Sequence, residues 1–183
     1  MAHLLATGNP STRVVAGLGN HEASYERTRH NVGARVVANV ARRLGLKPTP
    51  GLNPIPASRS GLVLPDGYMN DSGGLVRRAV QRWHPTAEGL LVVHDDLDLP
   101  LGVVQFKDGG GHGGHNGLRD VIAALGAGVF RRLRIGIGRP PGRIDPADFV
   151  LARFKPDERE ASDAALADAE TEVLAFLEQP ARV

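Results

Sequence analysis

The sequence predicts one α/β domain of three layers, with a mixed, mostly parallel twisted sheet flanked by helices. Short apolar runs of strand length alternate along the chain with stretches of helical periodicity, and no segment repeats another. The chain's 183 residues, 42% of them hydrophobic, suit a single domain with enough apolar material for a core. Residues 13–183 are assigned to that domain, and residues 1–12 to an N-terminal extension expected to be flexible.

The elements follow in order. Arg13–Leu18 is a β-rich run that ends in Gly17-Leu18-Gly19, a strand entering a tight turn. Val32, Val36, Val37, Val40 and Leu44 recur at helical spacing, and Gly45 stops that helix. Four prolines between Lys47 and Ser60 mark an irregular loop. Gly61–Leu64 reads as a short strand ended by Pro65. Ser72 then caps a helix whose stripe is Leu75, Val76, Ala79, Val80 and Trp83. Leu90–Val93 is uninterruptedly apolar between charged neighbours, as a buried central strand should be. Gly102–Lys107 is the next strand, and a glycine run from Gly109 to Gly117 follows. Asn116 caps a helix through Val121, Ile122 and Leu125 that ends at Gly126. Arg132–Ile137 alternates, with Leu133, Ile135 and Ile137 on one face and Arg132 and Arg134 on the other. Pro156–Glu178 closes the domain as one amphipathic helix.

Composition excludes several classes. Cysteine is absent, which removes disulfide scaffolds, thiolate metal sites and cysteine nucleophiles. No apolar run approaches the length of a membrane span, and the N-terminus has no secretory pattern, so the expectation is a cytoplasmic protein. The net charge of +2 is unevenly spread: residues 155–183 hold three basic and eight acidic side chains, leaving 19 basic against 12 acidic on residues 1–154. A basic body suits a polyanionic partner, although an ordinary surface with one acidic helix gives the same count.

Several motifs fail on inspection. Gly17-Leu18-Gly19 lacks the third glycine of a dinucleotide fingerprint, because position 22 is Glu22. No Gly-Lys-Ser/Thr follows the glycine run. Four polar clusters remain, each at the end of an element: Asn20, His30-Asn31, Met69-Asn70, and His94-Asp95-Asp96 with the glycine run downstream. Loops leaving one edge of an α/β sheet converge, so these residues are expected to share a cleft. A histidine oriented by a carboxylate is a competent base at neutral pH, and asparagine amides hold a carbonyl or developing oxyanion without titrating. The set suits hydrolysis of an activated carbonyl or ester by water. Singly, each residue has a plainer use: His30 in helix-start packing, Asp95 on backbone amides, Asn20 and Asn116 in turns and caps. His94, Asp95, Asp96, Asp98, His112 and His115 would also permit a nitrogen–oxygen metal site, but no paired spacing on a rigid face supports one.

Val15-Ala16-Gly17-Leu18-Gly19-Asn20, with Tyr25 and Thr28-Arg29-His30-Asn31, resembles the opening motif of the bacterial peptidyl-tRNA hydrolase family. Met69-Asn70 with Ser72-Gly73 is similar to its second motif. His94 to Pro100, Gly109 to Leu118 and Arg132 to Gly138 are similar to its third block, and the likeness runs from about Arg13 to Phe154. The resemblance implies an enzyme that cleaves the ester between a peptide and the 3′ end of tRNA, a monomer that needs no cofactor or metal. Its partner would be peptidyl-tRNA, gripped at the acceptor region. By motif position, His30 matches the base and Asp95 the carboxylate that orients it. Asn20, Asn70 and Asn116 match residues that position peptide, water and ester carbonyl. Tyr25 and Met69 match residues lining the peptide cleft, and Lys107 and Arg134 match basic residues on tRNA phosphate.

The chain departs from the motif in places. His21-Glu22 stands where Pro-Gly is usual, Tyr68 where Phe is usual, and the stretch from Leu46 to Pro65 is short and proline-rich. The altered loop leaves an alternative, a non-catalytic RNA-binding relative of the same fold.

Overall fold

The computed structural model describes residues 3–179. Six strands form one sheet: β1 (Val14–Gly17), β2 (Gly51–Pro54), β3 (Gly61–Leu64), β4 (Leu90–Asp96), β5 (Val104–Asp108) and β6 (Arg131–Gly136). Their spatial order is β2-β3-β1-β4-β6-β5. The inner four run parallel, and the two edge strands are antiparallel to their neighbours. Six helices accompany it: α1 (His3–Ala6), α2 (Val32–Arg43), α3 (Ser72–Trp83), α4 (Asn116–Leu125), α5 (Pro146–Leu151) and α6 (Arg159–Glu178). One sheet face packs Val15, Leu91, Val93, Leu133 and Ile135 beneath α2 and α6. The other packs Val14, Ala16, Val63, Leu90 and Val92 beneath α3 and α4. This is the three-layer mixed α/β domain that the alternating pattern predicts.

Several local expectations need correction. The proline-rich stretch contains a strand, β2, whose Pro54 lies opposite Gly61. A proline is tolerated there because β2 is an edge strand with one unpaired side, and the prolines hid its pattern. Helix α5 carries too short a stripe to show as a helix, although Pro146 at its start and Asp145 accepting from the Ala147 N–H mark it. Ser72 does not cap α3; its hydroxyl donates to the Met69 carbonyl. The cap of α4 is His115, whose side chain accepts from the Leu118 N–H, so Asn116 is the first helical residue. The final helix is preceded by a separate 3-10 turn, Pro156–Glu158. Within the first twelve residues, His3–Ala6 is helical and Leu5 is buried against the α3–α4 layer.

Two glycines let the helices come close where the polar residues gather. A Cβ on Gly33 would lie 2.1 Å from the Val93 carbonyl oxygen, so only glycine allows α2 to start against the end of β4. One on Gly117 would lie 2.5 Å from the Met69 sulfur, which ties the start of α4 to the turn bearing Asn70.

Candidate active site

His30 sits in a 3-10 turn, Arg29–Asn31, that leads into α2. Its neighbours fix that turn from both sides. Arg29 is buried, with its guanidinium 4.2 Å from the Phe149 ring centroid and 5.0 Å from that of Phe154. It donates to the Arg153 carbonyl and the Glu158 carboxylate, each at 2.5 Å. On the other side the Asn31 side chain makes two bonds to the Asn20 backbone, accepting at 2.9 Å and donating at 2.8 Å. The imidazole between them has little freedom, which is the condition for a positioned base.

Asp95 lies within β4 rather than beyond it, two residues from the strand's carboxyl end counted inclusively. Its carboxylate accepts from His30 Nδ1 at 2.9 and 3.0 Å, and its Oδ1 also accepts from His115 Nε2 at 2.9 Å. Burial alone raises the Asp95 carboxyl. The charges and N–H bonds of His115 and His30 outweigh it and hold the group well below the usual carboxylate range. An ionised carboxylate can only accept, so both imidazoles carry their proton toward Asp95. The Nδ1 of His115 then accepts from the Leu118 N–H at 3.3 Å. The Nε2 of His30 has no protein partner among the described residues, and it is not sealed from solvent. Of the two rings on Asp95, His30 alone therefore offers an open basic nitrogen.

His115 entered the sequence reading only as a possible metal ligand. Its helix-capping role and its bond to Asp95 needed the fold, since 20 residues separate the two. Its ring lies 4.8 Å from that of His30 and 5.1 Å, edge on, from that of His94. His30, Asp95 and His115 offer ligand atoms within 4.8 Å of one another, the one such group among the described residues. In this arrangement those atoms bond to each other. The broader set is dispersed: Asp96 pairs with Arg134, Asp98 with Arg139, and His112 accepts from the Gly114 N–H.

His94 is buried, with Nδ1 on the Asp95 carbonyl at 2.7 Å and Nε2 unpartnered. Burial first, and then His115, push it down to about 3. Below its ordinary value of 6.5 the unfolded chain binds a proton that the folded chain refuses until about pH 3. Stability therefore falls as pH falls across that window, by up to about 1.4 kcal/mol per pH unit. His94→Gln keeps a donor but does not titrate, and it should flatten the fall. Urea unfolding at several pH values above about 4 checks this, and curves parallel to the wild type would assign the acid sensitivity elsewhere.

The asparagines divide. Asn20 is buried, and its Oδ1 accepts from the Met69 N–H at 2.8 Å, so it joins two loops and leaves its amide nitrogen without a partner among the described residues. Met69 is buried beneath that bond. Asn70 and Asn116 are exposed, at the middle of the 3-10 turn Met69–Asp71 and at the first position of α4, and no group among the described residues takes their amides. The Gly117–Met69 contact sets those two elements side by side. Tyr25 is half-buried at the end of a third 3-10 turn, Ala23–Tyr25.

Basic residues extend from this centre along one face of the sheet. His94, Arg134 and Gln105 lie opposite one another on β4, β6 and β5, and Val92, Arg132 and Lys107 form the next row. Arg132 is buried and donates to the carbonyls of Gly110 and Gly111, shaping the glycine run. Arg134 donates to Asp96 at 2.7 Å and Gln105 at 3.0 Å, and its side chain is 17% exposed. Lys107 is exposed, with no ion pair among the described residues.

Comparison with known proteins bears on this geometry. Residues 14–182 match the family described as peptidyl-tRNA hydrolase. The peptidyl-tRNA hydrolase of Kineococcus radiotolerans is 46% identical over 164 residues, 80% of this chain and 81% of that one. The Mycobacterium tuberculosis protein of that name is 48% identical over 154 residues, with the same coverage. The crystal structure of peptidyl-tRNA hydrolase from Acinetobacter baumannii superposes with a TM-score of 0.80 at 36% identity, covering 92% of this chain and 90% of that one.

Proposed function

The chain belongs to the peptidyl-tRNA hydrolase family, and on that premise we propose that it hydrolyses the ester between a peptide and the 3′ end of tRNA with His30 as the base. The observation that carries the reading is the Asp95-bound imidazole of His30, whose one open nitrogen is Nε2. That nitrogen takes a proton from water as the water attacks the ester carbonyl. Asp95 holds the tautomer and favours the imidazolium that forms, and the 3′ ribose oxygen leaves with a proton returned to it. The amide nitrogen of Asn20 and the side-chain amides of Asn70 and Asn116 are uncommitted among the described residues and suit the peptide carbonyls, the water and the oxyanion. Tyr25 and Met69 line the acyl side. In this reading the protein is a cytoplasmic monomer with one domain over residues 13–183. No helix among the described residues is long and apolar enough to cross a membrane.

The row of basic side chains supports tRNA phosphate contacts by Lys107 and Arg134. Of the two, Lys107 is free to pair, whereas Arg134 already shares its charge with Asp96. Lys107→Ala is expected to weaken tRNA binding and to lower the slope of log K against log salt by about 0.7–0.9. An unchanged slope would remove Lys107 from the phosphate contacts. Arg134→Ala should lower the slope less, because Asp96 already offsets part of the Arg134 charge.

The activity itself is tested by release of N-blocked aminoacyl groups from tRNA by the purified protein, with and without chelator. Turnover under both conditions is the expected result. Tight tRNA binding without turnover would replace this reading with the RNA-binding alternative.

A further inference from the structure

The loop after β1 and the turn bearing Asn70 are joined by more than the Asn20–Met69 bond. The His21 N–H donates to the Gly67 carbonyl at 2.9 Å, and the Tyr68 hydroxyl donates to a carboxylate oxygen of Glu22. Residues 20, 21 and 22 thus each reach one of residues 67–69. The last of these bonds has a particular position. Glu22 immediately precedes the turn Ala23–Tyr25, and Tyr68 immediately precedes the turn Met69–Asp71. The pair therefore ties the entries of the two turns that carry Tyr25 and Asn70.

Neither side chain serves the core. Glu22 is exposed and Tyr68 is 50% exposed, so the bond lies on the protein surface instead of filling a space. The Glu22 carboxylate raises the Tyr68 phenol, as a bond that favours the protonated hydroxyl must. A carboxylate at position 22 without a donor opposite it, or a hydroxyl at 68 without an acceptor, would give no such tie.

We propose that Glu22 and Tyr68 are positioning residues, a side-chain strap that fixes the separation of the Tyr25 and Asn70 turns and so sets the acyl side of the substrate cleft. The strap leaves His30 and Asp95 alone and acts on how the acyl group is held. The inference rests on the hydrolase reading for the identity of the acyl group, but its binding test does not depend on turnover.

In steady-state hydrolysis of N-blocked peptidyl-tRNA, Tyr68→Phe and Glu22→Ala should each raise KM about 3- to 10-fold with kcat within about twofold. Together they should cost no more than either alone, since one bond is lost once. Glu22→Gln keeps an oxygen for the hydroxyl and should recover most of the loss. The second readout is binding, made in a His30→Ala background so that the ester survives. There Tyr68→Phe should weaken binding of N-blocked peptidyl-tRNA about 3- to 10-fold and of deacylated tRNA less than twofold. Equal weakening of both RNAs, weakening of neither, or additive single variants would overturn the strap. Absence of turnover in the wild type would overturn the hydrolase reading instead, while the binding comparison still decides the strap.

Discussion

Replacing His30 by alanine is expected to lower ester hydrolysis by about two to four decades while leaving tRNA binding near the wild-type level. The size follows from what is lost. Asp95 holds two imidazoles, but His115 has both ring nitrogens engaged, one on Asp95 and one on the Leu118 N–H. His94 keeps a free nitrogen, yet that atom is sealed from solvent. Neither neighbouring ring therefore offers a basic nitrogen that is both free and open to solvent. The basic row through Arg134 and Lys107 is untouched, so the phosphate contacts and their salt dependence should persist. Single-turnover hydrolysis of N-blocked aminoacyl-tRNA, beside a filter-binding measurement, checks both halves. A fall of less than about tenfold would remove His30 as the base.

The second large effect is expected for Asp95→Asn. The carboxylate accepts from two N–H groups, and an asparagine presents one oxygen and one donor in the same space. Either an N–H faces an N–H, or His30 turns its proton to Nε2 and loses its basic lone pair toward water. Hydrolysis should fall by about two to four decades in either case. Folding stability should drop by about 1–3 kcal/mol from the unsatisfied bond. The pH dependence of that drop is fixed in sign. The folded pKa of Asp95 is depressed, so its contribution is complete above the ordinary carboxylate range and is lost as pH falls through the folded value. The stability gap between wild type and variant should therefore be steady above about pH 5 and close only in strong acid. Denaturant unfolding at both ends of that range tests it, and a gap that widens in acid would contradict the assigned ionisation.

Much of this centre was legible in the sequence, for reasons that can be named. Leu90–Val93 announces a strand buried on both faces, so a carboxylate two residues after it falls near the strand's carboxyl end. Gly117 and Gly33 stand where helices begin. The clusters at Asn20, His30 and Asn70 each end a predicted element. What was hidden depends on contacts between distant segments. His115 looked like one of several histidines near glycine, and only the fold brings its Nε2 to Asp95. Arg29 appears in the sequence only as a member of the Thr28–Asn31 motif, whereas in the fold Phe149, Phe154 and Glu158 enclose it. The Arg134–Asp96 pair follows from neighbouring strands whose register the sequence does not state. Strand β2 was concealed by its own prolines, which an edge tolerates and a central strand would not.

The enclosure of Arg29 has a consequence for how the protein is made. The turn that presents His30 is clamped by the Arg153 carbonyl and the Glu158 carboxylate, more than 120 residues downstream. Synthesis delivers His30 and Asp95 early and the clamp late. A chain stopped at Phe149 holds both His30 and Asp95 but lacks the two groups that grip the guanidinium. During its own translation the growing protein is itself a peptidyl-tRNA, the kind of molecule its family consumes. The order of its segments makes the centre one of the last parts of the molecule to be completed.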